Sequence, residues 1–372
     1  MEWIRRRNSS PPSENGSEDR KGGEEGGEDI LLPGLPNHIS QICLSELSPR
    51  LLFSVCQPWR QLLYSPSFPP FCSLYVLLST KSSGNREIEF FSLDPLSLSW
   101  RPLPPPPPLD FLAQHPSYLS RNLAIQSLTV GNYLVLLAGT TQQLTPALSR
   151  PLVFNPETGK WFFGPQFSAP RRWCAAGAVG NVVFLAGGMG ATYNASVARS
   201  MEQWKITGKR QNWKWERLRS LQHGRFSRED VEGVAHKGKL CMVNMKGRGV
   251  KEGTIYNPAT DAWEEMPEGM LEGWNGPAAA MDEESIYVVD EERGTLSKYD
   301  GDYDRWEKII ELPELKQAEQ ITAGHGKVCV VAGNGKRVLV LDVVSNPALS
   351  WTVDLPCGHE CLGVRILPRM CQ

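Results

Sequence analysis

Cys357-Gly-His359-Glu-Cys361 is where this 372-residue chain sets possible metal ligands closest together. Two thiolates and an imidazole suit zinc, but a structural zinc takes four ligands, usually as two separated pairs. No C-x-x-C pair occurs among the nine cysteines, and no second pair lies at a finger-like distance, so the segment reads as structural. Cys43, Cys56, Cys241 and Cys329 sit inside apolar runs, where a reduced thiol acts as a small hydrophobe. The histidines (His38, His115, His223, His236, His325 and His359) are scattered. No metal and no cofactor are expected.

Other chemistry is equally thin. The chain has no G-x-S-x-G, no H-E-x-x-H, no phosphate loop and no dinucleotide fingerprint. Six basic residues lie between Lys205 and Arg219, with Trp204, Trp213 and Trp215 nearby. Basic plus aromatic is the pattern of single-stranded nucleic-acid binding, yet it fits equally an outer strand with a solvated loop. A formal net charge of −2 favours the second reading, so no nucleic-acid partner is expected. Pro102-Leu-Pro-Pro-Pro-Pro-Pro108 is a polyproline II segment, read here as a stiff connector rather than an SH3 or WW ligand.

The elements that must position any site come next. The 34 glycines and 29 prolines call for many turns rather than long helices. The longest apolar runs, such as Tyr133 to Ala138 and Val182 to Ala186, have strand length and not membrane length. No apolar stretch follows the basic start Met1 to Arg7, so no secretory signal is expected. A soluble protein of the nucleus and/or cytoplasm, with no membrane partner, is the expectation.

Residues 1–29 hold eight acidic and five basic residues with much Gly and Ser, the composition of a disordered tail. At Ile30 the composition changes. Leu35, Ile39, Ile42, Cys43, Leu44 and Leu47 follow a helical period, with Pro36 suited to a first turn. Ser48-Pro49 marks a second helix start, with Ser as N-cap. Gln57-Pro58 starts a third, with Trp59, Leu62 and Leu63 on one side. Three short helices make a core too small to stand alone, so a partner surface is expected.

From Phe71 an apolar strand recurs six times, near Leu74, Tyr133, Val182, Leu240, Ile286 and Val328. Each copy leads to a second signature ending in tryptophan, as in Phe154-Asn-Pro-Glu-Thr-Gly-Lys-Trp161 and Tyr256-Asn-Pro-Ala-Thr-Asp-Ala-Trp263. The final tryptophans (Trp100, Trp161, Trp215, Trp263, Trp306 and Trp351) are 61, 54, 48, 43 and 45 residues apart. A period falling into the forties, all in strands, marks a β-propeller. One tryptophan per repeat is expected to pack between blades. Asn or Asp before Pro favours a turn between the last two strands. The first apolar strand lacks a partner before it, and Cys361 to Leu367 is a surplus strand at the far end. That strand, about 361–368, is expected to join the first blade and close a six-membered ring.

Residues 30–70 resemble an F-box: Leu35-Pro36, then Ile39, Ile42, Leu44, Leu47, Pro49, Leu51, Val55-Cys56, Trp59-Arg60 and Leu62-Leu63 in order. The segment departs at Gln57-Pro58, where the family usually has two polar or basic residues. Residues 71–372 resemble kelch repeats, with the double glycine intact at Gly187-Gly188 and reduced to one at Gly139 and Gly333. The chain is thus similar to plant F-box/kelch-repeat proteins, the substrate receptors of Skp–cullin–F-box (SCF) ubiquitin ligases. The fold implied is mainly β, a six-bladed kelch β-propeller preceded by a small three-helix F-box and a disordered tail.

The resemblance implies a non-catalytic subunit that brings a target protein to ubiquitination and degradation. Leu35, Pro36, Ile39, Ile42, Leu44, Leu47, Pro49, Leu51, Val55 and Trp59 would bind a Skp-type adaptor and, through it, cullin. Arg121, Arg171, Arg172, Trp173, Arg225, Arg228, Trp274 and Asn275 fall in loops leading into blades and would bind an unidentified protein target. Arg and Trp are favoured interface anchors. Two other readings remain open: a kelch interaction scaffold with a helical cap, and a propeller enzyme.

Overall fold

A computed structural model of the chain describes residues 30–80, 87–111, 125–226, 231–244, 251–332 and 335–370. The tail assigned to 1–29 lies outside these residues. Three helices come first: α1 (Asn37–Ser45), α2 (Pro49–Val55) and α3 (Gln57–Tyr64). Pro36 stands just before α1 as its cap, one position earlier than a first-turn proline. Ser48 caps α2, its hydroxyl accepting from the Leu51 amide, and Pro49 fills the next position, where no amide is needed.

Six four-stranded antiparallel sheets follow, arranged in a ring. The first blade uses β1 (Cys72–Thr80), β2 (Ile88–Asp94) and β3 (Ser99–Pro102). The second has β4 (Ile125–Val130), β5 (Tyr133–Gly139), β6 (Leu152–Asn155) and β7 (Lys160–Phe163). In the third are β8 (Ala175–Val179), β9 (Val182–Ala186), β10 (Met201–Lys205) and β11 (Trp215–Arg217), with α4 (Ala195–Ala198) between β9 and β10. Blade four is β12 (Val231–His236), β13 (Lys239–Asn244), β14 (Glu252–Asn257) and β15 (Ala262–Glu265), followed by α5 (Glu268–Gly273). Blade five is β16 (Ala278–Met281), β17 (Ser285–Asp290), β18 (Thr295–Asp300) and β19 (Arg305–Glu311). Blade six is β20 (Gln320–Gly324), β21 (Lys327–Val331), β22 (Arg337–Asp342) and β23 (Leu349–Asp354).

The last strand, β24 (His359–Pro368), is the innermost strand of blade one. It pairs with β1 from Cys72↔Pro368 to Thr80↔His359, with a bulge at Leu77/Leu78. Across the next seam, the Arg365 guanidinium donates to the Ser127 carbonyl of β4 at 3.2 Å. The second strand of each blade is apolar on both faces, as Leu134 to Ala138 in β5 shows, because each sheet is covered by two neighbours.

The tryptophan signature has a defined role at the seams. In blades one to five the outer-strand indole N–H donates to a carbonyl where the chain leaves the preceding blade. These bonds are Trp100 to Asp354, Trp161 to Pro104, Trp215 to Pro165, Trp263 to Arg219, and Trp306 to Gly269 and Met270. Within the blade each indole also faces the residue opposite; Phe154–Trp161, Tyr256–Trp263 and Tyr299–Trp306 have centroids 4.9–5.3 Å apart. The Asn or Asp before the turn makes an Asx-turn: Asn155 accepts from Glu157 N, Asn257 from Ala259 N, and Asp300 from Asp302 N.

Trp351 breaks the pattern, which corrects the expectation of one inter-blade tryptophan per repeat. In blade five Trp306 opposes Tyr299, the residue before Asp300, whereas in blade six Ser350 holds that position opposite Leu341. Trp351 is one residue out of step, opposite Val340. A slip of one residue turns a strand side chain to the other face, and Trp351 is 44% exposed.

The kelch glycines also have a local cause. Gly187 and Gly188 have φ of +65° and +94°, and a Cβ on Gly188 would stand 3.0 Å from the Arg172 carbonyl.

Asp304 joins blades five and four, its carboxylate accepting from the Tyr299 hydroxyl (2.7 Å) and from the Gly269 and Met270 amides (both 2.9 Å). Burial opposes its ionisation, but these three donors win and hold it below the usual carboxylate range. A depressed folded pKa adds stability that is present above the unfolded value and lost as pH falls through the folded one. Asp304→Ala is expected to destabilise by about 1–3 kcal/mol at neutral pH, and by less below about pH 4, measured by denaturant melts across pH. Truncation after residue 358, removing β24, is expected to abolish the cooperative melt of the ring. A truncated chain melting like the full one would contradict the closure argument.

Candidate partner-docking surfaces

α1 and α2 each carry an inner and an outer apolar set, and α3 adds only to the inner one. The inner set is Leu44 (2% exposed), Leu52 (0%), Leu62, Leu63 and Phe68, joined by Phe53, Trp59, Tyr64 and, from the β2–β3 turn, Leu96. The Trp59 indole donates to the Leu31 carbonyl at 2.8 Å, tying the segment before α1 to α3. Leu44 and Trp59, expected to face the adaptor, are therefore held in the helical core. Spacing alone does not separate inner from outer positions on helices of two turns.

The outer set is Leu35, Ile39, Ile42 (62% exposed), Leu47, Leu51 and Val55, with Pro36 exposed and Pro49 half-buried. Ile39 and Ile42 on α1 are three residues apart and Leu51 and Val55 on α2 four, so each pair shares one helix face, with Leu35 and Leu47 just ahead of the two helices. With Ile30, seven of the fifteen large apolar side chains exposed among the described residues fall between 30 and 55. Such crowding in a short segment marks an interaction surface rather than scattered exposure.

The second candidate surface lies at the other end of the ring. α3 and Phe71 lead into β1 beside the end of β24, so the helices attach at the end where innermost strands finish. Loops leading into innermost strands lie at the opposite end. That end receives Arg171, Arg172, Trp173, Trp274 and Asn275, the described members of the expected target-binding set. Arg121 and Arg228 fall outside the described residues, as does the side chain of Arg225.

Two of these residues are internal, which removes them from a target surface. Arg171 is 1% exposed; it pairs with Glu202 at 3.1 Å and donates to the Gly187 carbonyl and the Ser200 hydroxyl. Trp274, 0% exposed, packs edge-on to Trp306 in the core of blades four and five. Arg172 is largely buried, its guanidinium 3.7 Å from the ring centre of Trp173. Trp173 and Asn275 are half-exposed. Tyr193, on the β9–β10 connection at this same end, is an exposed aromatic that sequence reasoning missed. The long connection after Gly187-Gly188 was its available signal.

The residues that suggested other chemistry are placed as structure. Cys361 is buried, its thiol donating to the Gly363 carbonyl at 3.3 Å and pushed up to about 12 by burial. His359 Nε2 instead meets the Glu89 carboxylate at 2.8 Å, and Cys357 is exposed. Among the described residues no group of three metal-ligating side chains converges. Trp204 is buried, Trp215 sits on the blade seam, and Arg210 stacks 3.6 Å over Phe162. The proline run holds a seam too, since Pro104 accepts the Trp161 indole. No helix among the described residues is long and apolar enough to cross a membrane.

Comparison with known proteins agrees with this arrangement of helices and blades. The F-box/kelch-repeat protein SKIP25 of Arabidopsis thaliana is 47% identical over 358 residues, spanning 92% of this chain and 90% of that protein. This chain belongs to the F-box/kelch-repeat family. More distant Arabidopsis relatives include the F-box/kelch-repeat protein SKIP4, 23% identical over 84% of this chain and 85% of its own length. The F-box protein AFR is 23% identical over 70% of this chain and 68% of its own. No family model matches the chain. In family terms, α1–α3 are the F-box and the blades are the kelch repeats.

The internal role of Arg171 has a measurable consequence. Arg171→Ala leaves Glu202 buried without its cation and is expected to cost about 3–5 kcal/mol in urea unfolding. Tyr193→Ala, at an exposed position, is expected to stay within about 0.5 kcal/mol of the parent.

Proposed function

We propose that this chain is the substrate-recognition subunit of an SCF-type ubiquitin ligase. The outer set of the F-box, Leu35, Ile39 and Ile42 with Leu47, Leu51 and Val55, binds a Skp-type adaptor, and Pro36 and Pro49 set the helix starts that present it. Cullin is reached through that adaptor. The opposite end of the propeller holds a target protein, with Trp173, Tyr193 and Asn275 as exposed or half-exposed anchors beside Arg172. The chain itself has no catalytic role in this reading. It carries a position by which a separate enzyme transfers ubiquitin to the target for degradation, in the nucleus or cytoplasm.

The observation that carries the reading is the concentration of solvent-exposed apolar side chains on α1 and α2. Apolar area left in water by a folded domain is recovered when a partner covers it. Family membership at 47% identity over most of the chain supports the same role.

Capture of a purified Skp-type adaptor by the full chain tests it. The wild type is expected to bind, and Ile42→Asp/Leu51→Asp to weaken binding by at least about thirtyfold, as for an interface hot spot. Both positions are exposed, so the variant should keep the melting temperature of the parent. Failure of the folded wild type to bind would leave a kelch interaction scaffold with a helical cap as the better account.

A further inference from the structure

The F-box is attached to the propeller by more than the chain running from Tyr64 to Cys72. Arg369, the residue after β24, is largely buried beside the C-terminal end of α3. Its Nη2 donates to the Leu63 carbonyl at 2.8 Å and to the Ser65 carbonyl at 3.1 Å. The Leu63 carbonyl is one that a helix end leaves without an internal partner, whereas the Ser65 carbonyl also accepts from the Phe68 amide; a cation there also meets the negative end of the helix dipole. The guanidinium lies 5.5 Å from the ring centre of Tyr64 and 5.3 Å from that of Phe71, two rings set edge to face. Its backbone amide donates to the Phe71 carbonyl at 2.9 Å.

A second attachment lies beside the first. The Tyr64 hydroxyl donates to Asp94 Oδ2 at 2.6 Å, while Asp94 Oδ1 accepts from the Leu96 amide and so holds the β2–β3 turn. Leu96 in turn packs into the F-box core. Burial, then the Asp94 carboxylate, keeps the Tyr64 hydroxyl protonated well above its usual range. The turn of blade one, the end of α3 and Arg369 therefore meet around one tyrosine.

Ring closure does not require Arg369. The ladder of β24 on β1 is already complete at Cys72↔Pro368. The side chain of Arg369 makes its inter-element bonds to the end of α3 and the segment just after it, outside the β24–β1 ladder. We infer that Arg369 is a positioning residue, a clamp that fixes the angle between the F-box and the propeller and makes that angle depend on the closed ring. This rests on reading the two ends of the molecule as adaptor side and target side, since a fixed angle then fixes where a bound target is held. The angle itself can be measured without either partner.

The experiment uses the full chain with spin-labelled residues incorporated in place of Arg50 on α2 and Lys308 on β19, both exposed, and reads the distance distribution between them by pulsed electron resonance. The parent is expected to give one narrow distribution. Arg369→Met, which retains much of the apolar stem, is expected to broaden it at least about twofold. Amide exchange protection of β24 should persist, showing that the ring stays closed. Arg369→Lys should not restore the narrow distribution, because one ammonium cannot reproduce the planar stack and paired bonds of guanidinium. Should the Met variant fail to fold, Tyr64→Phe removes only the hydroxyl bond to Asp94 and is expected to broaden the distribution by itself. An unchanged distribution in the folded variants would overturn the clamp. Loss of adaptor capture by the parent would instead overturn the ligase reading and leave the clamp standing.

Discussion

The pairing of β24 with β1 is the contact on which the other parts depend. It joins Tyr75 to the end of a strand 293 residues later, where the Tyr75 hydroxyl donates to the Pro368 carbonyl. The entropy of closing so long a loop grows only with the logarithm of its length, so a ladder of nine residue pairs can hold it. Once the ring is closed, no blade is left with an uncovered face, and the seam between blades six and one carries the same tryptophan bond as the seams from blade one to blade five. Trp100 donates to Asp354 there just as Trp161 donates to Pro104 one blade later.

The same closure organises the two working ends. It brings Arg369 beside α3, where the F-box must be held, and it leaves the loops into the innermost strands at the far end. A rigid ring can therefore keep an apolar, helix-borne surface and a loop-borne surface apart while neither forms part of the core. The internal positions on the loop side serve this rigidity. Arg171 and Trp274 anchor the bases of loops whose more exposed members are Trp173, Tyr193 and Asn275.

Much of this is legible in the sequence. The Ser48-Pro49 start of α2, the six apolar strands and the Asn/Asp turns are local features, decided by capping, burial and side chain to backbone bonds within a few residues. Which side of a helix meets its own core is not local. Leu44 and Ile42 are both apolar and two residues apart, yet one is buried and the other exposed, because Leu52, Leu63 and Phe68 lie on one side only. Trp351 looked like the other repeat tryptophans until the strand register of blade six turned it outward.

By itself the sequence determined the main kinds of element and the family: three short helices first, strands in six repeats, and a surplus strand at the end, though not the short α4 and α5. These follow from patterns of burial and turn chemistry that each segment carries within itself. Only the tertiary structure decided which arginines and tryptophans face outward and what Arg369 touches. Those outcomes depend on contacts between residues far apart in the chain. A charged side chain such as Arg171 is expected at a surface until the fold supplies Glu202 and the carbonyls that make its burial affordable in free energy.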